Sequence, residues 1–125
     1  MGMTNISKQE LDANVLQQLF AQLNNALAQL DTKRAHSFLV DLLGPEERIM
    51  LAKRLAAILL IAGGCSLYKV AATLAVSPAT AKRIKLKYTA GEYDRLLEAL
   101  ANKPSTIKSL LSTLDSILHL GGLMP

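Results

Sequence analysis

The chain has 125 residues, half of them hydrophobic and 19% charged, a balance that suits one folded domain and excludes a disordered polymer. A single cysteine, Cys65, excludes an internal disulfide framework, and the net charge of +4 is only mildly basic. Trp is absent and aromatics are 4% of the chain, so Leu and Ala must carry the core, which predicts packed helices rather than sheet.

Residues 1–14 are polar and carry Glu10 and Asp12, so no secretory signal is expected there. The longest apolar run, Leu55 to Ala62, is far short of the roughly 20 residues that cross a bilayer. No membrane contact and a cytoplasmic location are the expectation. The segment from Ser7 to Leu30 reads as a long amphipathic helix, opened by a capping box of Ser7 with Glu10. Leu16, Phe20, Leu23, Leu27 and Leu30 recur at four-three spacing and line one face, widened by Leu11, Val15 and Leu19. Such a seam must be covered, either by the rest of the chain or by a second copy, and pairing gives a small domain more core.

Thr32 is expected to cap a second helix that turns Phe38, Leu39, Leu42 and Leu43 inward. Gly44-Pro45 should end it, with Gly44 left-handed and Pro45 opening the next helix, where Glu46 and Glu47 suit the positive end of the dipole. This third helix runs to about Ala62, is expected to bury Leu51, Leu55, Ile58, Leu59 and Ala62, and stops at Gly63-Gly64. Past Gly91 a helix carries Tyr93, Leu96, Leu97 and Leu100, stopped by Asn102 and Pro104. Ser105 is expected to cap a last helix with Ile107, Leu110, Leu111, Leu114, Ile117 and Leu118. The tail from Gly121 is expected to fray.

Between these elements, Ser66 to Ile84 has the pattern of a helix-turn-helix. Val70, Ala71 and Leu74 face inward on the first helix, Val76 plugs the turn, and Ala81 and Ile84 face inward on the second. The small Ala71 permits close approach, and Ser77-Pro78 is a strong helix start, a hydroxyl cap followed by Pro at the first helical position. Ala75 stands where such a turn favours Gly for positive φ, which costs about 1 kcal/mol of strain or demands a slightly different turn. The second helix then presents Ala79, Thr80, Lys82 and Arg83, where Arg can bond guanine and methyl groups can meet thymine in a major groove. Lys69, Lys85 and Lys87 suit phosphates, and Ser66, Tyr68 and Ser77 complete the candidate DNA-binding set.

Charge distribution supports the same segment. No Asp or Glu occurs between Arg48 and Gly91, while Arg48, Lys53, Arg54, Lys69, Lys82, Arg83, Lys85 and Lys87 all do. A one-signed stretch in a mixed chain attracts a polyanion before any specific contact forms.

The run Leu43-Gly44-Pro45-Glu46-Glu47-Arg48, followed by Leu51, Arg54 and a Gly-terminated helix leading into the helix-turn-helix, resembles the tryptophan repressor family over about Phe38 to Leu100. The resemblance implies an all-α, intertwined homodimer with two reading heads on a roughly palindromic operator. It divides the chain into an N-terminal dimerisation helix (1–32), a helix-turn-helix core (33–101) and a C-terminal helical extension (102–125). It also implies L-tryptophan as corepressor between two arginines that match Arg54 and Arg83. Two pocket positions depart: Gly44 replaces a Thr, and Lys87 replaces a Ser that contacts the ligand's amino group. A lysine beside an ammonium is repulsive, which disfavours the family's ligand pose.

Enzymatic and metal chemistry find little support. His36 and His119 are isolated, Cys65 has no companion at ligand spacing and reads as a small core residue, and no nucleophile–base pair can be assembled. The expected function is therefore a transcriptional regulator, a repressor by its resemblance. The alternatives are an architectural, replication-related or transposition-related DNA-binding module, or a helical protein-interaction module.

Overall fold

A computed structural model describes residues 10–121. They form seven helices and, among the described residues, no strand: α1 (Ala13–Ala28), α2 (Thr32–Leu42), α3 (Pro45–Ala62), α4 (Leu67–Leu74), α5 (Pro78–Thr89), α6 (Asp94–Ala101) and α7 (Pro104–Gly121). The all-helical class read from composition is the class observed. The chain divides into two compact units, Met1–Pro45 and Glu46–Pro125.

In the first unit, helix starts follow acidic caps. The Asp12 carboxylate accepts the Asn14 amide at 3.2 Å, so α1 begins at Ala13, and residues 10–12 are not helical. The sequence pattern predicts a start at Ser7, which lies outside the described residues; Asp12 is the cap that operates. Likewise Asp31 caps α2 by accepting the Arg34 amide at 2.8 Å, which makes Thr32 the first helical residue rather than the cap. A carboxylate accepts more strongly than a neighbouring hydroxyl, so it takes the orphan amide.

The α1 seam stays open. Leu16, Phe20, Leu23 and Leu27 are between 40% and 52% exposed, too much for a covered core stripe, while Leu30, past the helix end, is half-buried. On α2, Phe38 and Leu39 are half-buried but Leu42 is exposed, contrary to the inward placement its spacing suggests. Leu43 is extended (φ −108°), and Gly44 does not take positive φ, so this helix ends without the left-handed closure expected of Gly44.

The core of the second unit is built on α3. Ala57 to Ile61 are consecutive buried residues, joined by Val70 of α4, Ala81 and Ile84 of α5 and Leu114 of α7. Five buried neighbours in a row mean that α3 is covered on several sides, as a central helix must be. Leu55 packs partly against this cluster and Ala62 is half-buried, whereas Leu51 is exposed: it lies nearer the helix start, outside the covered stretch. Leu114 extends the core to the C-terminal helix, where α7 packs against both α4 and α6. That helix begins at Pro104, so Ser105 is inside its first turn and does not cap it; Leu111 is exposed.

Three helices of this unit close in the same way. A residue of positive φ follows the last turn, and the next amide reaches back across it to a carbonyl five residues earlier. Gly64 (φ 90°) closes α3 with Cys65 N–H to Leu60 O at 3.0 Å, and Gly91 (φ 80°) closes α5 with Glu92 N–H to Lys87 O at 3.0 Å. Ala75 (φ 53°) closes α4 with Val76 N–H to Ala71 O at 3.1 Å, and among the described residues it is the one non-glycine with positive φ. The left-handed conformation expected at Ala75 is present.

Candidate nucleic-acid interface

The region is built around one turn. Ser66 caps α4, accepting the Lys69 amide at 3.2 Å, and the fully buried Val70 anchors that helix. After Ala75 and the half-buried Val76, Ser77 caps α5 by accepting the Thr80 amide at 3.0 Å, and Pro78 occupies its first position. Ala81 and Ile84 pin the inner face of α5 to the core, with α4 as its main neighbour. A helix held by those two positions turns the residues between them toward solvent.

Exposure follows that geometry. Ser66, Tyr68 (72% exposed) and Lys69 on α4 face solvent, as do Ser77, Ala79, Lys82, Arg83, Lys85 and Lys87 on α5. Lys85 lies over the Tyr88 ring at 5.8 Å, which limits its reach. Thr80 differs from the exposed placement its sequence position suggests. It is half-buried, one turn before Ile84 on the inward side, and its Oγ1 accepts from Ser77 Oγ at 2.8 Å. Among the described residues, no cation from Arg48 to Lys87 is held in an ion pair.

Two features of the site went unread in the sequence. Leu86 is 61% exposed and continues the Lys82–Arg83 face; its three-four spacing from those residues was the available signal. Lys53 of α3 is half-buried, and its Nζ donates to the Ala75 carbonyl at 3.1 Å, a contact between residues 22 apart that no local pattern announces.

The match to known families decides the kinship: residues 14–101 fit the model described as Trp repressor protein. The chain belongs to the Trp repressor family. This is a family of DNA-binding regulators, and the match covers both the α1 seam and the helix-turn-helix. Among curated proteins and among solved structures, no match was found. No helix among the described residues is long and apolar enough to cross a membrane.

One cleft bears on the corepressor that the resemblance implies. A cleft beneath the turn is lined by Lys53 and Arg54, by Ser77 and Thr80, and by the apolar Met50, Val76 and Ile84, with Ala75 at its edge. Arg54 lines it, but Arg83 does not. The lining holds two cations and no carboxylate, so a bound ammonium would depend on hydroxyl or carbonyl oxygens. Ser77 Oγ donates to Thr80 Oγ1 there, and the Ala75 carbonyl accepts from Lys53. Lys87, in the last turn of α5, adds a further exposed cation.

Proposed function

We propose that this Trp repressor family member is a sequence-specific transcriptional repressor that works in the cytoplasm, binding a two-fold symmetric operator as a homodimer. The observation that carries the reading is the outward face of α5. Ala79, Lys82 and Arg83 project from a helix whose start is fixed by Ser77, within a stretch free of carboxylates. A helix so presented suits the major groove, with Arg83 and Lys82 hydrogen-bonding guanine edges and the Ala79 methyl meeting thymine. Thr80 contributes at the inner edge of that surface.

Ser66, Tyr68 and Lys69 at the start of α4, with Ser77, Lys85 and Lys87, contact phosphates and set the register. The open α1 seam supports the dimer: Leu16, Phe20, Leu23 and Leu27 are covered by a second subunit, which positions two reading heads. Residues 1–32 thus serve dimerisation, 33–101 form the reading core, and 102–125 extend it. This reading does not require L-tryptophan; the cleft is lined by two cations and by no carboxylate.

Selection of bound duplexes from a random pool tests the proposal. A repressor enriches a palindromic site whose binding weakens steeply with salt but keeps its sequence preference. Enrichment of no sequence, with all duplexes bound alike, would assign an architectural role; no binding at low salt would assign a protein-interaction role.

A further inference from the structure

The turn that launches α5 is held by a side chain from another helix. Among the described residues of the second unit, the side-chain hydrogen bonds of Ser66, Ser77, Thr89 and His119 stay within four residues in sequence, whereas that of Lys53 spans 22. It ends on the carbonyl of Ala75, the left-handed closing residue of α4. Of the three positive-φ closures in this unit, two are glycines; the one made by a residue with a Cβ is the one an ammonium grips.

We propose that Lys53 is a positioning residue for DNA reading: its ammonium clamps the Ala75 carbonyl to α3 and so fixes the direction in which α5 leaves the turn. Several facts converge on this role. Lys53 stands one helical turn before Ala57, which is fully buried, so its base is anchored on the core-facing side of α3. It lines the same cleft as Met50, Val76 and Ile84, apolar neighbours for its stem. Its charge meets the negative end of α4, where free carbonyls and the helix dipole both favour a cation. Two residues beyond the clamp, Ser77 starts α5, so rotation about the strained Ala75 would swing Ala79, Lys82 and Arg83 together.

The clamp is intrinsic to the chain, so the reading helix is set without a bound small molecule. This rests on the reading of α5 as the DNA-contacting helix; the clamp itself can be tested apart from DNA.

The experiment compares the full-length protein with Lys53→Met, which keeps the stem and loses the ammonium, and Lys53→Arg, which keeps the donors. Each is titrated with the selected duplex and with a random duplex at one salt concentration. Lys53→Met is expected to weaken the selected duplex by about tenfold, the factor for one charge-assisted hydrogen bond, and the random duplex much less. Lys53→Arg should restore most of the loss. Equal losses on both duplexes would make Lys53 a general phosphate contact, and no loss would make the clamp idle; either overturns the proposal.

Amide exchange supplies a readout that needs no DNA. In Lys53→Met the amides of Val76 and Thr80 should exchange about tenfold faster while that of Ile58 is unchanged. Unchanged rates at Val76 and Thr80, or a uniform rise that includes Ile58, refutes the clamp. Should the wild type bind no duplex, the repressor reading fails and exchange still decides the clamp.

Discussion

Ser77 and Thr80 are joined twice: the Thr80 amide donates to Ser77 Oγ at 3.0 Å, and Ser77 Oγ donates to Thr80 Oγ1 at 2.8 Å. The start of α5 is thereby fixed by a single hydroxyl. Ser77→Ala should lower the unfolding free energy by about 1 kcal/mol, read as a lower denaturant midpoint with unchanged slope. Ser77→Asp keeps the cap but places a carboxylate at the proposed DNA surface. It should hold the stability and still weaken duplex binding; unaltered binding would remove Ser77 from that surface.

The left-handed Ala75 predicts a gain. Ala75→Gly relieves a strained φ of 53° and should stabilise the chain by about 1 kcal/mol in equilibrium unfolding. Ala75→Val should destabilise it by more than that, since β-branching is poorly tolerated there. Equal stabilities for the three variants would mean that the turn relaxes freely.

Arg83 and Lys69 should separate specificity from affinity. Arg83→Ala should cost about 1–3 kcal/mol on the selected duplex and relax preference at one base position. Lys69→Ala should weaken all duplexes alike and lower the salt slope by about 1. Matching behaviour of the two variants would contradict the assignment of base and phosphate contacts.

Subunit pairing can be read from size. Leu23→Glu places a charge in the middle of the α1 seam and should shift sedimentation from dimer to monomer at micromolar concentration. Helix content should change little, because Leu23 is already 40% exposed in the single chain. A monomeric wild type, or a variant that still sediments as a dimer, would exclude α1 as the pairing surface.

The chain contains no Trp, so added L-tryptophan is the sole indole emitter in solution. With two cations and no carboxylate lining the cleft, its emission should stay at the free wavelength under saturating protein. A blue shift abolished by Arg54→Ala would restore the corepressor.

Legibility from sequence was greatest where one residue type has one physical use. Ser77-Pro78 announces a helix start because few other arrangements use a hydroxyl followed by a fixed φ, and α5 begins there. Ala75 is foreseeable as a strained residue from its place in the turn. Caps are harder to read when competitors are adjacent: Asp31 stands beside Thr32, and only the geometry shows that the carboxylate takes the Arg34 amide. Periodicity marks a face as apolar without saying how far it is covered, which is why Leu42, Leu51 and Leu111 are exposed. The contact of Lys53 with Ala75 depends on two helices meeting in space, so spacing along the chain carries no trace of it.

Leu114 also bears on where the folding unit ends. The family pattern stops at residue 101, yet this leucine, supplied by α7, sits in the same buried cluster as Ile61 and Val70 behind the first helix of the reading head. A chain cut after Ala101 would keep every residue that marks its ancestry while uncovering the back of the element that steadies α5. The matched residues end at 101, whereas the buried cluster continues to Leu114, so the last helix supplies part of the core that the family pattern leaves out.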